Sequence, residues 1–231
     1  MFLLTYFQDG TELLAEEESV EKTLSVIELI SSGGTAGIVI ILLLFVLLTA
    51  AIYIYFERLF AIKAASKIDS NFMNQIKDHV SNGKTESAQM LCAQQNSPVS
   101  RLINKGVTRI GKPLEDINTA IENAGRLEVY ALEKNVSVLA TISGVAPMIG
   151  FLGTVIGMIL SIFEIANSGG QIDIKQLSDG LYTAMTTTVG GLIVGIVAYM
   201  AYNHLVVKTD KVIYQMEANS LEFLDHLNEP I

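Results

Sequence analysis

Three stretches without charge set the terms for this chain. Residues 37–55, 135–163 and 180–203 contain no Asp, Glu, Lys or Arg. Each is about the length of helix, roughly 20 residues, that crosses a bilayer. Three such lengths in one chain are incompatible with ordinary soluble core helices. They predict an all-α integral membrane protein with three transmembrane helices. With 50% hydrophobic and 17% charged residues, the chain is also more apolar and less charged than a typical soluble domain.

The net charge of −9 hides an uneven distribution. The first 36 residues hold seven acids, from Asp9 to Glu28, against Lys22 alone, while residues 57–135 hold eleven Lys or Arg. Lys175 lies in the short connection between spans two and three, and Lys208 and Lys211 follow span three. Lys and Arg favour cytoplasmic segments, so the expected orientation is N-terminus outside, C-terminus inside. The expected division is an outer tail at 1–35, span one at 36–56 and a cytoplasmic helical segment at 57–135. Span two follows at 136–166, an outer loop at 167–179, span three at 180–204 and a cytoplasmic helix at 205–231. Met1 to Gln8 has no basic start and too short an apolar run for a cleaved leader.

Val20, Leu24, Ile27 and Ile30 recur at helical spacing and predict an amphipathic helix on the outer interface. Tyr53 and Tyr55 fit interfacial anchors at the inner end of span one. Short helices are expected over 70–81, 84–95 and 97–110, each begun by a capping residue and packed on the inward extensions of the spans. From Pro113 an apolar stripe runs through Leu114, Ile117, Ile121, Ala124, Leu127 and Ala131 into span two. One helix from Pro113 to Ala166 would be about 80 Å long. Leu205, Val212, Met216, Phe223 and Leu227 extend span three in the same way.

Spans two and three each carry a stripe of small or hydroxyl-bearing residues. In span two it is Ser143, Pro147, Gly150, Thr154, Gly157 and Ser161. In span three it is Ala184, Thr188, Gly191, Gly195, Ala198 and Tyr202, flanked by Thr183, Thr186 and Thr187. Close helix packing accounts for Gly150, Gly153, Gly157, Gly191 and Gly195, since small residues four apart let backbones approach. A polar path along the hydroxyls is the other reading, and the sequence leaves both open. Neither stripe has an Asp, Glu, His, Lys or Arg, although a proton path within a membrane normally needs a titratable group of that kind. A carboxylate for such a path would have to come from another chain.

Other chemistry finds no support. Gly150 to Gly157 matches neither the dinucleotide nor the P-loop spacing, and no P-loop lysine follows. His79, His204 and His226 lack metal-ligand spacing, and no nucleophile–base pair can be assembled. Lone Cys92 forms no internal disulfide and reads as a small buried side chain. Enzymatic activity, a cofactor, a metal and nucleic-acid binding are therefore not expected.

Ala146-Pro147-Met148-Ile149-Gly150-Phe151-Leu152-Gly153-Thr154-Val155-Ile156-Gly157-Met158 resembles the second-span signature of the MotA/TolQ/ExbB proton-channel family. Leu181 to Asn203 is similar to that family's third span, with the ExbB type closer than TolQ and four-span MotA more distant. The resemblance implies a homopentamer around a central pore, with spans two and three lining it and both extended into the cytoplasm. It implies an ExbD-like partner with a single span that brings an aspartate into the pore, and a TonB-like protein driven by proton flow. By the same resemblance Thr154 and Thr188 match the pore threonines, joined along the path by Ser143, Ser161, Thr183 and Thr187. Two positions depart from the family. Thr183 stands where a glutamate is common, which leaves Asp179, Asp173 or Glu164 as outer acids that could pass protons inward. Ile196-Val197-Ala198 replaces a proline-containing turn, so span three should run unkinked.

Overall fold

The computed structural model describes residues 34–67, 69, 71–167 and 174–228. The expected amphipathic helix at 20–30 and residues 168–173 of the expected outer loop, Asp173 among them, lie outside these, as does the side chain of Asp179; residues 174–179, expected as loop, begin the last helix. Seven helices follow in order: α1 Gly34–Ala65, α2 Phe72–Ser81, α3 Thr85–Gln95, α4 Pro98–Val107, α5 Leu114–Glu133, α6 Val136–Asn167 and α7 Ile174–Asn228. Three stretches are long and apolar enough to cross a membrane: Gly37–Ala65, Leu114–Asn167 and Gly180–Asn228. The chain is a multi-pass, all-helical membrane protein.

α1 is apolar on every side, as a helix with lipid around it must be. It buries one edge, Ile40, Leu44, Ala51 and Ile62, against α6 and α7, and turns Val39, Phe45 and Val46 outward. α7 has 55 residues without a break, a length of about 80 Å against a hydrocarbon core of about 30 Å. Its far half carries the shorter helices. Phe72 and Ile76 of α2, Ile103 of α4 and Ile121 of α5 are buried with Met216 and Phe223 of α7. Gly106 lets α4 enter between α5 and α7, since a Cβ there would lie 2.6 Å from Phe223 and 2.8 Å from Ile121.

Of the three short helices only α4 is capped by a side chain. Ser97 Oγ accepts from the Ser100 amide, Ser100 Oγ accepts from the Ser97 amide, and Pro98 fills the first turn. Asn71 and Lys84, before α2 and α3, make no side-chain cap, so capping at every start is corrected to capping at one. The single helix expected from Pro113 to Ala166 is also corrected. It breaks at Lys134 and Asn135, where Lys134 is extended at ψ 130° and Asn135 takes φ 63°. Asparagine is among the non-glycine residues that best tolerate this left-handed region. The apolar stripe passes straight over the break, so periodicity gave no sign of it. Pro147, by contrast, sits within α6 without ending it.

Candidate functional site: the interface of α6 and α7

The small residues of both stripes meet each other. A Cβ on Gly191 would lie 2.6 Å from the Ala146 carbonyl oxygen and 2.9 Å from Gly150 Cα. A Cβ on Gly150 would lie 2.7 Å from the Thr187 carbonyl, and one on Gly157 3.0 Å from Ala184 Cβ. Gly153 faces the Thr187 side chain, and Gly180 faces Ser161. Gly195 lies against Pro147 and would bring a Cβ to 3.1 Å from the Ser143 carbonyl. That carbonyl is four residues before the proline, whose missing N–H cannot bond it. These contacts make α6 and α7 one tightly joined pair, held by dispersion and close backbone approach rather than by bulky side chains.

The hydroxyls divide into two kinds. Ser143, Thr154, Ser161 and Thr186 donate within their own helices, to the carbonyls of Ala140 (2.7 Å), Phe151 (2.6 Å), Gly157 (2.9 Å) and Tyr182 (2.9 Å). Such bonds satisfy a hydroxyl without any partner chain. Thr187 and Thr188 reach across to α6. Thr187 Oγ1, fully buried, lies 2.8 Å from the Ala184 carbonyl and 3.3 Å from that of Gly150. Thr188 Oγ1 donates to the same Gly150 carbonyl at 3.1 Å and stays half-buried. Thr154 is also half-buried, at the edge of the contact. Thr183 points elsewhere: it is buried against Gly37, where a Cβ would stand 2.8 Å from its methyl, so it meets α1. Glu164 is exposed near the end of α6.

Two features of the opposite end had no sequence signal. Tyr55 Oη and His204 Nδ1 are 2.8 Å apart, tying α1 to α7 where the apolar stretch ends, across 149 positions of sequence. Arg58, almost buried, pairs with Glu57 and donates from Nη1 to the Ala131 carbonyl at 3.4 Å, just before the break between α5 and α6. Among the described residues no group of three or more His, Cys, Asp or Glu could hold a metal.

The arrangement is a hydroxyl-bearing helix pair without Asp, Glu, His, Lys or Arg along its apolar length. The model of the MotA/TolQ/ExbB proton channel family matches residues 94–218, more than half of the chain. This chain belongs to that family. An ExbB homolog of Methanothermobacter thermautotrophicus is 26% identical over 199 residues, spanning 84% of this chain and 67% of its own length. The Tol-Pal system protein TolQ of Haemophilus influenzae is 29% identical over 194 residues, spanning 76% and 80%. The biopolymer transport protein ExbB of Aquifex aeolicus is 38% identical over 87 residues, spanning 38% and 58%. The family match thus takes in all of α6 and α7 as far as residue 218.

Proposed function

We propose that this protein is the channel subunit of a stator of the ExbB type in an inner membrane, using the proton motive force to energise transport at an outer membrane. In this reading five copies surround a pore lined by α6 and α7. The N-terminus is outside, and α2 to α5 and the end of α7 are in the cytoplasm. An ExbD-like partner with one span supplies the aspartate, and a TonB-like protein takes up the work. Thr154 and Thr188 meet that aspartate as its protonation state cycles, with Ser143, Ser161 and Thr187 along the path. Asp179 or Glu164 would pass protons inward at its outer end, Thr183 being turned toward α1.

The observation that supports this most is Thr188. Its half-buried hydroxyl lies at the edge of a helix pair that has no carboxylate of its own along residues 136–163 and 180–203. A partner's acid would complete such a surface. The test is native mass spectrometry of the complex extracted gently from membranes expressing this chain with the short one-span protein of its neighbouring frame. Five copies of the 25.1 kDa chain around a few small partners is the expected result. A monomer or dimer without a partner would mean that the stripes only pack helices in a membrane scaffold. Replacing Thr188 by valine should leave the assembly intact and lower proton flux severalfold.

A TolQ-type role in cell-envelope integrity is the second reading. The observation favouring it is the length of the match, which covers 80% of the Haemophilus TolQ. Complementation of each function in strains lacking the corresponding subunit separates the two.

A further inference from the structure

We propose that the cleft at the inner end of the α6–α7 interface is a hydrated vestibule in which Asp210 and Glu133 take up protons leaving the channel and hand them to cytoplasmic water. The inference rests on the channel reading above and assigns two acids and a cavity that the sequence did not single out.

The cleft follows from the way the two helices part. They touch backbone to backbone at Gly150 and Gly191 and again at Gly195 and Pro147. Toward the inner end the small residues of α7 give way to Tyr202 and Val206, and α6 ends at the break of Lys134 and Asn135. A cavity of about 590 Å³ opens there, walled by the first residues of α6, by Tyr130 and Glu133 of α5, and by Tyr202, Val206, Thr209 and Asp210 of α7.

Its direction is fixed by helix phase. α7 is unbroken, and at about 100° per residue Thr188, Tyr202 and Val206 fall within about 40° of one another, with Thr209 and Asp210 to either side. The cavity therefore continues the face that carries Thr188, about 27 Å further along the helix. No residue of α1 lines it.

Two observations favour water within it. Thr209 is 3% exposed, and its Oγ1 has no hydrogen-bond partner, not even in its own helix. A buried hydroxyl is seldom left so. Asn135, Val136, Ser137 and Val138 also line the cavity; the Val138 amide bonds back to the Asn135 carbonyl at 3.2 Å, while the amides before it, at the start of the helix, have no partner within it. The volume has room for on the order of ten waters. The charge of the lining, two carboxylates against the single ammonium of Lys134, favours a cation over an anion. In each transfer a proton passes from water in the path to a carboxylate oxygen and from there to water or buffer outside, which leaves the carboxylate as it began.

The test uses the full chain with its one-span partner in vesicles, proton flux being read by a trapped pH-sensitive dye. The Glu133→Gln, Asp210→Asn double variant should pass protons at least threefold more slowly than wild type. A small mobile buffer on the receiving side should restore the rate, because it replaces the lost acceptors. Unchanged flux, or a loss that buffer does not restore, overturns the proposal. Thr188→Val, acting upstream, should lose flux without rescue. Wild-type complex that carries no protons would sink the channel reading and this one together. Normal wild-type flux with an indifferent double variant would sink this one alone.

Hydration has its own readout. Thr209→Cys should react with a small charged thiol reagent at least tenfold faster than Leu205→Cys, whose position is fully buried. Equal, slow reaction of both would show the cavity to be dry and overturn the proposal. Cys92 gives little background, since it is buried and its thiol is pushed up to about 12.

Discussion

Replacing Gly191 with alanine asks whether close backbone approach, rather than any particular side chain, holds α6 to α7. The new Cβ would sit 2.6 Å from the Ala146 carbonyl oxygen and 2.9 Å from Gly150 Cα. Non-bonded heavy atoms settle near 3.5 Å, so the helices must part by about 0.6–0.9 Å. Both neighbours are backbone atoms and cannot rotate away. Overpacking of this kind costs about 1–3 kcal/mol. The separation also stretches the 3.1 Å bond from Thr188 to the Gly150 carbonyl beyond hydrogen-bond range, a loss of about 0.6 kcal/mol in a membrane. Alanine returns up to about 1 kcal/mol of helix propensity, which leaves a net destabilisation of about 1–2.5 kcal/mol. At about 2–4 °C per kcal/mol for a chain of this size, the melting temperature in mild detergent should fall by about 2–10 °C. The control is Gly144→Ala, where a Cβ meets nothing within 4 Å, and the melting temperature should hold or rise. Light scattering on heating reads both. Equal melting of the two variants would refute the claim that the glycine contacts hold the pair together.

Three further predictions follow from individual residues. Thr187→Val keeps the shape but leaves the Gly150 carbonyl without one of its cross-helix donors, and should lower stability by about 1 kcal/mol, measured by the same thermal assay. Asn135→Ala must hold a Cβ residue at φ 63° and should cost about 1 kcal/mol, whereas Asn135→Gly should cost none; matched melting curves for the two would show that the break is unstrained. Cys92 should resist alkylation at pH 8 until the short helices α2 to α4 unfold. Because its folded pKa is raised to about 12 from 9.0, the unfolded chain loses that proton first as pH rises, so its contribution is complete below pH 9 and is lost between there and about 12. A stability curve that gains over that interval would contradict the burial of Cys92.

The ion pair of Arg101 with Glu128 shows how the short helices are joined to α5 without contributing much energy. Both guanidinium contacts are 2.6 Å, from Nε and Nη2, and the glutamate holds Arg101 above its ordinary range. The arginine is nearly half exposed, and water screens such pairs to within about 1 kcal/mol. The apolar contacts of Phe72, Ile103 and Phe223 carry the packing, while the pair sets the orientation of α4 on α5.

Much of this protein was legible from its residues. Uncharged stretches of bilayer length marked the spans, because each transmembrane helix must satisfy its backbone alone and face lipid with apolar side chains. Three- and four-residue spacing carried α7 well beyond its apolar stretch, and the small-residue stripes marked which spans would pair. The signature from Ala146 to Met158 marked the family. All of these are local patterns, repeated within one helix and independent of what lies opposite.

Only the tertiary structure decided what each stripe residue meets. Gly191 and Gly150 approach because α7 returns antiparallel to α6 at one register. A shift of one residue would rotate the glycines away by about 100°. The same geometry turns Thr183 toward α1 and Thr188 toward Gly150, although both belong to one run of threonines. The break at Asn135, the tie of Tyr55 to His204 and the cavity beside Thr209 were equally invisible. Each depends on residues brought together from distant parts of the chain, or on a backbone angle that periodicity does not record.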